Sequence, residues 1–209
     1  MKKPLLYLVR HGSTTDSAKN IFRGQRDAAL DKKGFSDAHS LKDFFKNKEW
    51  HRIFCSPMMR AIQTATIICD DQGDYQPETV PGLEPWDIGI MTGTYKNEAN
   101  KAKMKQFVDN PDTAPKDGES RHEFERRIWP LLAAGVELGW RQGVPCILVV
   151  HSSIIHSFNH LMEGEDHKDV SVKPGGVVEV FLSDGEIYGK PIFKEAKEDD
   201  GSSDPKNAS

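Results

Sequence analysis

Apolar positions follow two rhythms along this chain. Short unbroken runs, residues 5–9 in "LYLVRHGSTT", "RIFCS" and "VPCILVV", read as buried strands. Between them the spacing lengthens to three and four. Residues 34–47, "GFSDAHSLKDFFKN", put Phe35, Ala38, Leu41, Phe44 and Phe45 on one helical stripe. "PMMRAIQTATIICDD" turns Ala61, Ala65 and Ile68 toward a sheet, with Pro57 suited to its first turn. From Ser120, "RHEFERRIWPLLAAGVELGWRQG" predicts a long amphipathic helix ending at Gly143, kinked or divided at Pro130. "PETVPGL" reads as a short edge strand because prolines flank it, and "GGVVEVFL" and "GEIYGKPIF" read as a hairpin through residues 183–185. The polar stretch from Lys96 to Pro115 has the character of a lid over a site. Strands alternating with helices predict an α/β fold, a three-layer α/β/α sandwich around a mostly parallel sheet.

With 209 residues the chain suits one domain, assigned here to residues 1–194. Residues 195–209, within "EAKEDDGSSDPKNAS", hold no apolar side chain larger than alanine and predict a disordered polar tail. No internal repeat is evident. A formal net charge of -4 leaves no footprint for nucleic acid, and no window approaches the roughly 18 apolar residues of a membrane helix. The apolar stretch of "MKKPLLYLV" is too short for an export signal, so a cytoplasmic location is expected. Cys55, Cys69 and Cys146 form no CxxC pair and there is no HExxH, which predicts buried reduced thiols, no metal and no cofactor.

Arg10 and His11 follow the first strand with no spacer, and His151 follows "VPCILVV" in the same way. In parallel sheets that edge is where ligands bind. The loops after three strands would bring Arg10 and His11, Ser56 to Arg60, and His151 to Ser153 together. Arginine forks and helix N-termini beside Thr14, Pro57 and Ser152 suit a phosphoryl group. Neighbouring guanidinium groups would keep one histidine neutral and nucleophilic, while the other donates to the transferring group and a carboxylic acid protonates the leaving oxygen. Gly12 would let the backbone turn closely around the anion. The bland alternative, Arg10 capping the sheet edge and His11 bonding a carbonyl, stays open on these residues alone.

"LVRHGST", "IFCSPMMRAIQTA", "DGES...R" and "VVHSS", in this order, resemble the histidine phosphatase superfamily, also called the phosphoglycerate mutase-like family, over roughly residues 5 to 182. The resemblance implies a phosphoglycerate mutase-like fold. It makes His11 the phosphorylated residue, Arg10 and Arg60 the phosphate-binding arginines and His151 the second pocket histidine. It sets Thr14 and Gly24 near the substrate and puts Gly118, Glu119 and Ser120 at a G-E-S helix head, where Ser120 caps and Glu119 engages the cationic pocket. Two departures stand out. In "LEPWDIGIMTG", Pro85 occupies the place of the family's acid glutamate, which leaves Asp87 and Glu84 as candidates. Asp87 is favoured because Glu84 precedes a proline. Asp16 and Ser17 replace a tryptophan-asparagine pair, and Ile21 stands where many members have arginine, with Arg23 and Arg26 able to supply the contact or simply solvated.

The expected activity is a metal-independent, histidine acid phosphatase-like phosphomonoesterase acting on a small phosphorylated substrate. A phosphoglycerate mutase and a catalytically weak phosphate- or phosphoprotein-binding member are the alternatives. The resemblance implies a longer, arginine-bearing insertion after the acid motif in mutases; residues 93–118 here carry lysines but no arginine, which favours hydrolysis. A cysteine phosphatase fits poorly, since Cys55 and Arg60 have four residues between them, not five. Neither nucleic acid nor membrane is an expected partner, and the oligomeric state, homodimer included, is left open.

Overall fold

The apolar runs pair into one six-stranded sheet in a computed structural model that describes residues 3–70, 73, 75–161, 172–183 and 186–193. β1 (Leu6–Arg10), β2 (Ile53–Cys55), β3 (Glu78–Thr79) and β4 (Cys146–Val150) are parallel, while β5 (Val177–Ser183) and β6 (Glu186–Phe193) add an antiparallel edge. Their order is β3-β2-β4-β1-β5-β6. Five helices accompany them: α1 (Lys32–Phe45), α2 (Met59–Cys69), α3 (Glu98–Asp109), α4 (Arg121–Gln142) and α5 (Ser152–Leu161).

Alternation along β1 and β4 builds the layers. Leu6, Leu8, Leu148 and Val150 pack with Phe124, Ile128 and Leu132 of α4 and with Ile154, Ile155 and Phe158 of α5. Tyr7, Val9, Ile147 and Val149 belong to a second core with Leu41 and Phe45 of α1 and Ala61, Ala65 and Ile68 of α2. Helices cover both faces, which is why β4 is apolar throughout and β1 is apolar up to Arg10. The α/β/α sandwich with a mostly parallel sheet is thus present, with β3 as the two-residue edge strand and β5–β6 as the hairpin.

Four expectations need adjustment. Phe35 is 42% exposed, because at 100° per residue it sits about 120° around α1 from Leu41, beyond the stripe. That helix starts at Lys32, two residues early, where the Asp31 side chain accepts from Gly34 N–H. Pro57 lies outside α2, ahead of the capping residue Met58. Pro130 does not divide α4, which runs unbroken with Pro130 on its exposed face, so the helical bond that this residue cannot donate is lost where water replaces it. The predicted tail and the Asp184–Gly185 turn lie outside the described residues. Among those described, no helix is long and apolar enough to cross a membrane.

Candidate active site

The two central strands stop in register, Arg10 opposite Val150, so His11 and His151 emerge side by side. His11 N–H donates to Val150 O at 3.1 Å, and Ser56 N–H, beyond β2, donates to Val149 O at 3.0 Å. The two imidazole centroids are 5.1 Å apart, and each residue is 2% exposed. The loop after His11 is fixed by both neighbouring helices. Gly12 N–H donates to Thr64 Oγ1 and Ser13 N–H to Asp37 Oδ2. A Cβ on Gly12 would lie 2.5 Å from Gly34 O, and one on Gly34 would lie 1.9 Å from Ser13 O. The missing side chain of Gly12 therefore serves a backbone-to-backbone contact with α1, where the sequence suggested room for an anion.

His11 Nδ1 lies 2.7 Å from Gly12 O, and a carbonyl only accepts, so this nitrogen carries the proton. Nε2 is left with its lone pair, toward which Arg60 Nε–H donates at 3.2 Å. Burial first, then the nearby guanidinium groups of Arg60, Arg23 and Arg10, hold His11 well below the ordinary 6.5. His151 is depressed likewise by burial and by His11 and the arginines. Its Nε2 is 2.8 Å from Ser56 Oγ, which already accepts from Met58 N–H, so the hydroxyl proton is available to His151 Nε2. That assignment leaves Nδ1 protonated, and it has no partner.

These two depressed histidines make stability depend on pH. Their folded pKa values lie below the unfolded value, so stability is full above pH 6.5 and falls as the pH drops beneath it. Each imidazole contributes up to about 1.4 kcal/mol per pH unit until its folded pKa is reached. Urea midpoints measured from pH 7.5 to 5 should show this slope, and it should shrink when either histidine is replaced by asparagine.

Arg60, 2% exposed, also donates Nη1–H to Arg26 O at 2.9 Å and lies 3.7 Å from Asp27 Oδ1. Arg10 donates Nη1–H to Val172 O at 2.7 Å, while its buried Nε has no partner. Burial, with Arg23 next, lowers both guanidinium groups to about 10, which leaves them charged at neutral pH. Arg23 is not merely solvated: it donates to Thr14 Oγ1 at 2.9 Å and, with His11, Gly24, Arg60, Lys96, His151 and Ser152, lines a cavity of about 190 Å³. Thr14 is buried behind Arg23, and Ser17 Oγ accepts from Thr14 N–H and, at 3.4 Å, from Arg23. Arg26 turns to buried Asp16 at 2.8 Å. Gly24 has φ +51°, and a Cβ there would lie 2.5 Å from Thr92 Oγ1. From residues 96–115, Lys96 and Met104 join the cavity wall.

The candidate acids are directed elsewhere. Glu84 Oε2 accepts from Gly82 N–H at 2.7 Å, and Asp87 Oδ1 accepts from Gly89 N–H at 3.0 Å while facing a neighbouring hollow with Gln25 and Arg26. Glu119 meets Arg127 and the Asp87 amide, not Arg10 or Arg60, which corrects its expected place among the pocket cations. Ser120 caps α4 in a reciprocal box with Glu123. Arg127, which the sequence did not single out, donates to Gly82 O at 2.6 Å, to Glu84 O at 3.2 Å and to Pro85 O at 3.4 Å. The residues of "LEPW" are thus held from α4. An Arg127→Met protein should lose about 2 kcal/mol, read as a lower urea midpoint, because these carbonyls lose a charged donor.

Cys55 is buried in the α1/α2 core, and burial pushes its thiol up to about 11, too high for a thiolate nucleophile. Cys69 and Cys146 are also free, buried and raised, to about 11 and about 12.

A family model described as histidine phosphatase superfamily, branch 1, matches residues 6–186. A candidate phosphoserine phosphatase of Hydrogenobacter thermophilus is 30% identical over 184 residues, 85% of this chain and 89% of the relative. A 2,3-bisphosphoglycerate-dependent phosphoglycerate mutase of Mesorhizobium japonicum is 25% identical over 173 residues, 79% of this chain and 84% of the mutase. Two solved structures share the fold. A mycobacterial glucosyl-3-phosphoglycerate phosphatase in complex with VO3 has a TM-score of 0.74, 20% identity and coverage of 92% and 99% of the two chains. A phosphoglycerate mutase of Thermus thermophilus has a TM-score of 0.71, 23% identity and coverage of 91% and 99%.

Proposed function

We propose, on the premise that the chain belongs to branch 1 of the histidine phosphatase superfamily, that it hydrolyses a small phosphomonoester through a phosphohistidine at His11. The observation that carries this reading is the deprotonated Nε2 of His11 beneath the Arg60 guanidinium in a buried cationic pocket. A phosphoryl oxygen entering there takes over the Arg60 Nε–H, which frees the lone pair for attack on phosphorus. Arg10 and Arg60 offset the charge on the transferring group, and the unpartnered Nδ1–H of His151 is the remaining donor. In the second step water attacks phosphorus, the N–P bond breaks and its electron pair returns to Nε2.

Hydrolysis is favoured over a mutase because a bisphosphate needs a second cationic end. Beyond Arg60, the cations lining the cavity among the described residues are Arg23, which is engaged with Thr14 Oγ1, and Lys96, and no arginine comes from residues 93–118. Relatives with both kinds of name fit the common first step, phosphoryl transfer to histidine.

The test is turnover of p-nitrophenyl phosphate in EDTA, with acid-labile, alkali-stable phosphate trapped on His11 by rapid quenching. Phosphate release that exceeds any transfer to 3-phosphoglycerate supports hydrolysis; faster transfer to that acceptor would make the protein a mutase. Binding without turnover would leave the phosphate-binding reading.

A further inference from the structure

We propose that the substrate of this site is an aryl phosphate, the monoester of a phenol; this rests on the phosphatase reading above and names its substrate class. Two separate observations support it. The first is the apolar part of the cavity wall, supplied by Ile21, Phe22, Trp86, Ile88 and Met104 together with the ring of Pro85. Such a wall suits a flat aromatic body, which stacks or meets ring edges without needing polar partners.

The second is that, among the described residues, no carboxylic acid is placed to protonate the leaving oxygen, and the Lys96 ammonium on the wall lies over the Phe22 ring, 5.4 Å from its centroid. Among the described residues no carboxylate lines this cavity. Glu84 is bonded to Gly82 N–H, Asp87 to Gly89 N–H and Glu119 to Arg127 and Asp87 N–H. Farther round, Asp16 is paired with Lys19 and Arg26, and Asp27 accepts from Met59 N–H. Pro85 offers the cavity a ring without a proton. An alkoxide leaving group needs protonation as the P–O bond breaks, and a positioned acid is worth about 10² to 10⁴ in rate for that step. A phenol, with a pKa of about 10, departs as phenolate without it.

The step then balances without an acid. His11 Nε2 forms the N–P bond, the aryl P–O bond breaks, and the electron pair goes to the phenolate oxygen, which takes its proton from solvent afterwards. Water later cleaves the N–P bond, giving inorganic phosphate, with the surplus water proton passing to bulk.

The experiment compares phenyl phosphate with benzyl phosphate on the full chain. Both carry the same ring, one methylene apart, but only the first leaves as a phenolate. The ratio is read in kcat/KM, which reports the first phosphoryl transfer. Phenyl phosphate should exceed benzyl phosphate at least about a hundredfold. A Pro85→Glu protein that folds should narrow the ratio by raising the benzyl value. Equal kcat/KM for the two esters in the wild-type protein would overturn the proposal and leave the phosphatase reading standing. No turnover of p-nitrophenyl phosphate or either ester would sink both.

Discussion

His11→Ala should reduce kcat/KM on p-nitrophenyl phosphate at least about a thousandfold, because no other group in the pocket can take over the attack. His151 is the obvious substitute and is badly placed for it. Its Nε2 is engaged with Ser56 Oγ. Cys55 is buried in the core with its thiol raised. The circular dichroism spectrum should stay native, since β1 retains its pairing with β4 and β5. Added imidazole should restore part of the turnover if the lost group is a nucleophile held over the anion. Full activity in the alanine protein would remove His11 from the chemistry altogether.

Gly34→Ala should cost about 3 kcal/mol or more, read as a lowered urea midpoint. Helix propensity points the other way, since alanine replaces glycine inside α1 with a gain of roughly 0.5 to 1 kcal/mol. Sterics decide the sign. The new methyl would stand 1.9 Å from Ser13 O, and the atom it meets is backbone that also carries the Ser13 N–H bond to Asp37. Relieving that overlap moves the residues just after His11, so kcat/KM should fall together with stability. A neutral or stabilised Gly34→Ala protein would show that the loop gives way without disturbing the site.

The sandwich and the main cations are readable in the sequence because both rest on local signals. An apolar run that ends in Arg10-His11, and another that ends in His151, announces a strand and its edge together. Ala61, Ala65 and Ile68 announce the face of α2. What stays hidden depends on contacts with the backbone, which carries no sequence signature. Arg127 recognises three carbonyls on a distant loop, and from the sequence it is one more charge on an amphipathic helix. Gly12 reads as making space for a ligand, when its neighbour is Gly34. Asp37 occupies the buried stripe of α1, a position the 3.6-residue rhythm reserves for apolar residues, because its carboxylate takes up Ser13 N–H. Proximity along the chain points to Glu84 or Asp87 as the leaving-group acid, whereas local turns hold one oxygen of each on a backbone amide.

The shared stopping point of β1 and β4 also bears on how this scaffold can change. His11 and His151 owe their spacing to a strand ladder, while Phe22, Trp86 and Met104 come from two loops and α3, none of them part of the sheet. The histidine pair and the apolar wall of the cavity are therefore carried by separate pieces of the chain. On the proposed phosphatase reading, libraries that randomise Phe22, Trp86 and Met104 would explore new leaving groups while the histidine pair keeps its spacing.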